Sequence, residues 1–429
     1  MRRERIFLQY SFLPWVVCAL VLLLAGGLGW RGGRMALLLA LLPLLLLAGL
    51  AAARRPGLTL TLWLLAGLML RFELGTGTQT TLNLAVLGAG GLFALHLLRS
   101  LVTRRWVWRR TPADWPLLLL VLAALLSLLG GFLPWNAFAG RASLTSQIGG
   151  WAVFALSAAA FWLAAQQLDP IWLRRAVLAF LAFGGLYLLG RALGIGALAG
   201  LLVSGADGSV WWVWLAALAG GLLLFEPRLS NGVRLGLMTV LLLELWIGWQ
   251  NRSWVSGWLP VLVTLAVLVW LRKPWLGAVL TLIGAGLVWL LAPGLPTELL
   301  TADAYSVDTR RLAWEILVPA VWNTNAILGW GPSNYYFYTP VYPILGYYVS
   351  FNSHNQYVDL FAQVGLLGVG LFGWCVAALA VWALRLRRRV VNGFGQAYLA
   401  AALAGLVGML VAGMLGDWLD RKSTRLNSS

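Results

Sequence analysis

Apolar runs long enough to cross a bilayer, about 20 residues each, recur along almost the whole chain. Hydrophobic residues make up 61% of the sequence and charged residues 10%, which leaves too few polar side chains to cover a soluble protein of this size. The runs are continuous rather than alternating, so they favour helices over a β-barrel. The sequence therefore predicts an all-α, polytopic integral membrane protein.

We predict about 12–13 transmembrane helices. The predicted spans are residues 12–30, 35–53, 57–70, 82–98, 115–133, 147–167, 172–190, 210–225, 234–250, 253–271, 275–292, 356–384 and 396–416. They divide the chain into transmembrane helices in 1–292, a large outer loop with short helices in 293–353, C-terminal transmembrane helices in 354–416 and a tail in 417–429. The tail RKSTRLNSS resembles translated adapter sequence, so we expect it to be non-native after roughly Asp420.

The net charge of +17 comes from 31 Lys and Arg against 14 Asp and Glu. With the N-terminus in the cytoplasm, the spans place 20 of these basic residues in cytoplasmic loops, 8 in outer loops and 3 in the tail. Basic residues concentrate on the cytoplasmic side of membrane proteins, so the charge requires no nucleic-acid partner. This threading places the 293–353 loop outside, away from ATP and nucleotide sugars.

Other patterns exclude several classes of site. Cys18 and Cys375 both lie within apolar runs, so we expect neither a disulfide nor a metal site. The sequence has no Walker loop, dinucleotide-binding glycine fingerprint, HExxH motif or cysteine–histidine cluster, and no cofactor is expected. The first run follows MRRER without a convincing cleavage site, so we expect it to remain as an anchor.

The polar, aromatic-rich stretch from Ala302 to Phe372 is where we expect the chemistry. His354 opens the segment SHNQYVDLF. We predict Ser353 as a helix N-cap, which would place His354 in the first turn and disfavour its cationic form. A neutral imidazole suits a general base, whereas the alternative is a surface histidine at the membrane interface. Asp359 is five residues further on and is not on quite the same helical face.

Two outer arginines, Arg310 and Arg311, precede the segment WEILVPAVW, in which we expect a helix on the membrane surface. They oppose the positive-inside bias, which indicates a function other than topology. A guanidinium pair binds phosphate in a bidentate manner that lysine does not match. The alternative is contact with solvent or lipid headgroups.

Arg252 lies in the short polar break WIGWQNRSWVSGW, near the outer bilayer surface. A charge at that depth is costly unless it faces a cavity or a partner, and the alternative is snorkelling to lipid phosphate. Arg141 and Arg191 are further outer candidates of the same type.

Three motifs resemble, in their order and placement, the O-antigen ligase and polymerase family of bacterial cell-envelope glycosyltransferases. They are a polar turn with an arginine, QNRSWVSG; an arginine before a tryptophan and a G-x-G, RRLAWEILVPAVWNTNAILGWG; and a His-Asn pair opening a helix with two glycines downstream, SHNQYVDLFAQVGLLG. The earlier spans are similar only in general character. Gln363 departs from the family pattern, which often has glutamate there.

The resemblance implies a GT-C-like architecture, similar in fold to other membrane glycosyltransferases with lipid-linked donors. It implies functional arginines at Arg252 and Arg310, with Arg311 as the neighbouring choice, and a functional histidine at His354. The substrate-binding residues that we predict are Arg311, Arg191, Arg141 and Asn355.

The family also implies a polyprenyl-diphosphate-linked glycan donor, used without metal or nucleotide at the outer face of the bacterial inner membrane. The arginines would stabilise the leaving diphosphate and His354 would take the acceptor proton. The acceptor is a glycan or a lipid A-core, and ligase, polymerase and protein O-oligosaccharyltransferase remain open. The alternative from another class is a non-enzymatic transporter or flippase of lipid-linked sugars, whose partners would again include membrane lipids.

Overall fold

The computed structural model of the chain describes residues 55–70, 73–75, 81–104, 108–202, 206, 208–251, 254–291, 304–391 and 393–416. The predicted spans 12–30 and 35–53, Asp207, Arg252 and the tail 417–429 lie outside the described residues. All statements below concern the described part of the chain.

This part is almost entirely helical. Its helices are α1 (Pro56–Met69), α2 (Leu84–Val102), α3 (Asp114–Gly130), α4 (Leu144–Gln167), α5 (Pro170–Leu193), α6 (Gly196–Ala199), α7 (Ser209–Phe225), α8 (Asn231–Gln250), α9 (Val255–Arg272), α10 (Pro274–Leu291), α11 (Ala304–Asn325), α12 (Asn334–Tyr338), α13 (Gln356–Arg387) and α14 (Gly393–Leu415). A 3₁₀ turn at Thr339–Val341 follows α12.

Each predicted span from 57–70 onward coincides with one of these helices. Seven helices are long and apolar enough to cross a membrane, namely α2, α4, α5, α8, α9, α13 and α14. Four shorter apolar helices are α1, α3, α7 and, over Pro274–Ile283, α10. The chain is therefore a polytopic all-α membrane protein, as predicted.

A small antiparallel hairpin is the exception to the helical pattern, and the sequence analysis did not predict it. Its strands are β1 (Glu73–Gly75) and β2 (Thr81–Asn83), with Leu74 opposite Leu82. Asn83 ends the hairpin and caps α2, because its side chain accepts a hydrogen bond from the Val86 amide. The hairpin therefore connects α1 directly to the start of α2.

Polar residues at the helix starts fix where several spans begin. Ser143 caps α4, Asp169 caps α5 and Ser230 caps α8, each by accepting from a backbone amide of the first turn. These side chains satisfy amides that have no partner within the helix. The turn between α4 and α5 is only Leu168–Asp169, so α5 starts at the end of the bundle where α4 stops.

The centre of the bundle is the trio α7, α9 and α14, packed through small residues. A Cβ atom on Gly221 of α7 would lie 2.8 Å from the Cβ of Ala401 on α14. A Cβ atom on Gly408 would lie 2.0 Å from the hydroxyl of Thr264 on α9. In lipid, helices associate largely through such close backbone approach, since lipid tails are as apolar as leucine.

The helices α9 and α14 run in opposite directions. Leu268 and Ala400 belong to one buried cluster, whereas Pro260 and Thr264 lie against Gly408. The start of α9 at Val255 is therefore at the same end of the bundle as Leu415. That end also holds the start of α13, as the contacts below show.

Candidate functional site

The turn before α13 carries His354, and it differs in one respect from the prediction. The N-cap is Asn355, whose side-chain oxygen accepts from the amides of Tyr357 (2.9 Å) and Val358 (3.2 Å). The prediction that Ser353 caps this helix is wrong, because the helix begins only at Gln356. The Ser353 hydroxyl accepts the Asn355 amide at 3.1 Å, before the helix, and donates to the Asp359 carboxylate at 2.5 Å. His354 consequently precedes the helix rather than lying in its first turn, so the helix-dipole argument for a neutral imidazole does not apply to it.

His354 itself has a left-handed backbone, with φ at +49°, and its side chain is half-buried. A non-glycine residue in this region of φ/ψ space is uncommon and requires support from its surroundings. The support comes from buried Asp359, which accepts the hydroxyl protons of Ser353 and Tyr335, the latter at 2.7 Å. Tyr335 also contacts Asn352 through a hydrogen bond. The network fixes the turn on both sides of His354.

Arg310 and Asn355 meet at the last turn of α14. The Nη1 of Arg310 donates to the Leu415 carbonyl at 3.1 Å, and the Nδ2 of Asn355 donates to the Met414 carbonyl at 3.3 Å. The last carbonyls of a helix lack internal partners and carry partial negative charge, so a guanidinium is favourable there. Consecutive carbonyls thus bring Arg310 next to the turn that carries His354.

A second contact from α11 reinforces this arrangement. Trp314 lies one helical turn after Arg310, on the same face of α11. Its indole Nε1 donates to the Ser353 carbonyl at 2.7 Å. The sequence pattern RRLAW therefore places an arginine and a tryptophan so that one helix face contacts both the end of α14 and the residue before His354.

Arg310 and Arg311 have different environments. Arg311 is exposed and pairs with Glu315 on the same helix, with 3.3 Å between Nε and Oε1. An exposed pair of this kind contributes little energy. The Nε of Arg310 is buried and has no hydrogen-bond acceptor among the described residues. Of the two neighbours, Arg310 is the one directed at the candidate site.

The G-x-G motif fits into a kink of α13. Gly365 interrupts α13 with φ +69° and ψ −165°, a conformation that is essentially restricted to glycine. The amides of Leu366 and Leu367 that the kink frees donate to Ala326 (2.8 Å) and Ile327 (3.2 Å) carbonyls. A Cβ on Gly365 would lie only 2.2 Å from the Ile327 carbonyl oxygen. The loop after α11 therefore packs against the α13 backbone itself.

The following residues extend this backbone packing. Gly329 and Gly331 have φ of +68° and +95°, and a Cβ on Gly329 would lie 2.7 Å from the Ala362 carbonyl. The Trp330 amide donates to that same carbonyl at 2.8 Å. Gln363, where the family often has glutamate, accepts the Ser333 amide with its side-chain oxygen at 3.4 Å. A glutamate would offer the same acceptor atom.

Asn334 links this loop to the α3–α4 connection and is fully buried. Its Nδ2 donates to the carbonyls of Gly131 (3.0 Å) and Trp330 (2.8 Å), and its Oδ1 accepts from the Ala142 amide (2.9 Å). Ser127 of α3, also fully buried, lies 2.5 Å from both the Leu328 and Gln363 carbonyls. The end of α3 thus forms part of the support of the site.

Arg141 lies in this α3–α4 connection and is exposed. Its guanidinium donates to the Phe132 carbonyl and lies 5.9 Å from the centre of the Phe132 ring. Burial raises the pKa of Tyr338, and the positive charge of Arg141 opposes that shift. Arg141 is therefore near the aromatic cluster under the loop, and no contact among the described residues joins it to Arg310.

Arg191 and Arg252 complete the predicted set. Arg191 lies at the end of α5 and donates to the Tyr187 hydroxyl at 3.2 Å, a contact separate from the Arg310 region. Tyr187 packs edge-on against Trp211 with ring centres 5.3 Å apart, and Trp212 packs in the same way on Trp254 at 6.3 Å. Arg252 lies outside the described residues, but the adjoining start of α9 is at the Leu415 end of the bundle.

The sequence analysis missed the residues that hold the site together. Asp359, Tyr335, Asn334 and Ser127 are buried polar side chains, and none was predicted to have a role. One signal was available, because Asp359 lies in an otherwise apolar helix, where a carboxylate is costly unless it is paired. The partners of the other three are distant in sequence, and the sequence offered no signal for them.

A comparison with protein families matches the part of the chain that carries Arg310 and His354. The family model described as O-antigen ligase matches residues 229–373, which contain α8, α9, α11 and the His354 turn. No curated protein matches the chain. The matched segment ends eight residues after the Gly365 kink, and it includes the three motifs on which the resemblance was based. Over residues 229–373, about a third of its length, the chain is similar to the O-antigen ligase family.

Proposed function

We propose that the chain transfers a glycan from a polyprenyl diphosphate carrier to an acceptor hydroxyl, at the end of the bundle where α13 begins. The observation that carries the proposal is the meeting of Arg310 and the His354 turn on the last turn of α14. These contacts put the Arg310 guanidinium beside the turn that carries His354, which supports a shared role for one cation and one imidazole. The family match supports the reaction class, and the pairing of these two groups supports the roles.

The reaction needs two kinds of help. The bond between the anomeric carbon and the diphosphate oxygen breaks, and its electron pair leaves with the diphosphate. The acceptor oxygen forms the new bond to the anomeric carbon and loses its proton. Diphosphate is already a good leaving group, so the developing negative charge is what requires stabilisation, and fixed guanidinium groups in a partly dry site provide it.

We assign the charge stabilisation to Arg310 and Arg252. The buried Nε of Arg310 is a donor with no acceptor among the described residues, and such a donor becomes favourable when an anion approaches. We assign the proton to His354, whose imidazole would take it from the acceptor as attack proceeds. Asn355 orients the turn as its N-cap, and Arg311, Arg141 and Arg191 lie outside this core of the proposal. No metal or nucleotide has a part in these steps.

The proposed location is the bacterial inner membrane, with the N-terminus in the cytoplasm and the site on the outer face. The predicted excess of Lys and Arg in the cytoplasmic loops supports this orientation. The acceptor is a glycan or a lipid A-core in a ligase or a polymerase. A protein hydroxyl would be the acceptor in an oligosaccharyltransferase of the same type, and a flippase would use the arginines without any transfer.

The test exploits the backbone of His354. Because its φ is positive, a His354→Gly variant keeps the turn without strain while removing the imidazole. We expect transfer from a polyprenyl-diphosphate glycan by the purified protein to fall on the order of 10²-fold or more. Added imidazole should restore part of the rate, while donor binding stays unchanged. His354→Asn, which also tolerates this conformation, should be as slow but less responsive to imidazole.

The two neighbouring arginines provide a matched pair for the phosphate role. Arg310→Ala should lower the transfer rate on the order of 10²-fold, and Arg311→Ala should change it little because Arg311 is exposed. Full transfer by His354→Gly without imidazole would contradict the base assignment. Equal losses of transfer rate in Arg310→Ala and Arg311→Ala would contradict the phosphate assignment. Turnover that a chelator inhibits would contradict a metal-free reaction. Translocation of the lipid-linked glycan without transfer product would support the flippase.

A further inference from the structure

A cavity of about 460 Å³ lies at the opposite end of the bundle from the candidate site, where α1, α4 and α5 meet. Helix α4 starts beside the candidate site and ends at Gln167, on the cavity wall. The polar side chains around the cavity are those of Arg55, Gln167, Asp169 and Arg175. Its volume is within the range of small-ligand sites, and it lies outside residues 229–373.

The two arginines, Arg55 and Arg175, line the cavity together with the Asp169 carboxylate. Trp172 is pressed against α1, since a Cβ on Gly57 would lie 2.2 Å from its Cγ. The Arg175 guanidinium lies over the same indole, 4.7 Å from the ring centre. Trp172 therefore holds Arg175 in position through a cation–π contact. Neither Arg55 nor Arg175 forms an ion pair with the described residues.

The remaining polar groups give the cavity acceptors as well. Asp169 uses one carboxylate oxygen to accept the Trp172 amide at 2.8 Å, as the N-cap of α5. Its second oxygen can accept from a hydroxyl group. The cavity thus combines two guanidinium groups, which can bind phosphate, with the Asp169 carboxylate, which can accept a hydrogen bond from an alcohol.

An apolar crevice adjoins this cavity and shares Pro56 and Gln167 with it. The crevice is small, about 40 Å³, and its walls combine Leu60, Leu92 and Leu95 with the polar side chains of His96 and Arg99. The polar cavity therefore continues along α1 and α2 towards their leucine side chains, with His96 and Arg99 beside them. A molecule with a charged head and an apolar chain matches this sequence of surfaces.

We propose that this is a binding site for an anionic phospholipid with a hydroxylated headgroup, such as phosphatidylglycerol. The phosphate binds Arg55 and Arg175, a headgroup hydroxyl donates to Asp169, and an acyl chain follows the crevice along Leu60 and Leu95. The site is separate from the glycan-transfer site and does not depend on the proposed function. It anchors α1 and α5, whose packing at Gly57 forms its floor, to the lipid leaflet at that end.

The test is a lipid titration of the purified full chain, delipidated in detergent and followed by native mass spectrometry. Phosphatidylglycerol should bind the wild type more tightly than phosphatidylcholine does. The double variant Arg55→Gln/Arg175→Gln should weaken phosphatidylglycerol binding roughly 10-fold or more, since each arginine contributes charged hydrogen bonds to phosphate. Glycerol phosphate, the headgroup without its chains, should bind more weakly than the lipid.

The control is the double variant Arg174→Gln/Arg228→Gln, which removes the same charge at the same end of the bundle. Arg174 lies over Phe394 and Arg228 follows α7, so neither lines the cavity. Phosphatidylglycerol should bind this variant as it binds the wild type. An equal loss in both double variants would overturn the site in favour of general surface charge. The site would also be overturned if Arg55→Gln/Arg175→Gln bound phosphatidylglycerol as tightly as the wild type does, or if phosphatidylglycerol and phosphatidylcholine bound equally. Glycerol phosphate that bound as tightly as the lipid would overturn the role of the crevice.

Discussion

The central trio of α7, α9 and α14 and the loop system around His354 are built by different means. In the trio, glycine and alanine let helices approach closely, and side chains fill the space between them. Around His354, buried polar side chains bind backbone carbonyls and amides. Seven residues from Gly329 to Gly365, four of them glycines, have positive φ. The comparison indicates that packing defines the trio, whereas hydrogen bonds define the conformation of the loops.

This difference has a physical origin. Helices satisfy their own backbone groups, so helix–helix contacts tolerate adjustment of side chains. The loops between α11 and α13 do not satisfy theirs, and each buried amide or carbonyl needs a partner. A change in the loop system is therefore expected to cost more than a comparable change in the trio, and the following variants test this from the largest expected effect to the smallest.

Gly365→Ala should be the most damaging of these changes. It places a Cβ in a conformation restricted to glycine and 2.2 Å from the Ile327 carbonyl oxygen. We expect a loss of about 4 kcal/mol in the free energy of unfolding, measured in mixed micelles with a denaturing detergent, together with loss of transfer. Gly408→Ala in the trio should lose less, about 1–3 kcal/mol, because its backbone is helical and the two nearest atoms belong to the side chains of Thr264 and Val213.

Gly370→Ala is the control on the same helix, since a Cβ there meets nothing within 4 Å. Its stability should be unchanged or slightly raised. A smaller loss for Gly365→Ala than for Gly408→Ala would break the distinction between the two regions.

Asn334→Ala should have the next largest effect. The change leaves the Ala142 amide and the carbonyls of Gly131 and Trp330 without their side-chain partner in a buried place. We expect a loss of about 2–3 kcal/mol in the free energy of unfolding. Asn136→Ala, which removes one local hydrogen bond in the same α3–α4 connection, should lose less than about 0.5 kcal/mol. Similar losses for the two asparagines would show that the link between the loops does not stabilise the protein.

Tyr335→Phe is the mildest change and addresses the His354 turn alone. It removes the hydroxyl that contacts Asp359 and Asn352 while keeping the ring. The expected loss of stability is about 1 kcal/mol, accompanied by a lower transfer rate with unchanged donor binding. Tyr348→Phe, at an exposed position, should match the wild type in both measurements. If Tyr335→Phe and Tyr348→Phe had equal transfer rates, the hydrogen bonds that fix the His354 turn would not be needed for glycan transfer.

The sequence predicted the helices well because each is encoded by a local apolar run. It also predicted that RRLAW and SHNQ belong together, through their resemblance to a family. The sequence did not distinguish Arg310 from Arg311, because the difference depends on which face of α11 meets α14. Likewise both Ser353 and Asn355 are good caps, and the choice between them depends on Asp359, which contacts Ser353 only in the folded chain.

The contact of Arg310 and Asn355 with the end of α14 makes the length of that helix a property of the site. Both side chains bind main-chain oxygens, so the identities of Met414 and Leu415 matter less than where the helix stops. Adding or deleting one residue upstream would turn the final carbonyls by about 100° and shift them by about 1.5 Å. Substitutions of Met414 and Leu415 should thus be far better tolerated than single-residue insertions or deletions in α14. For the same reason, relatives are best aligned by the position where this helix ends rather than by residue type.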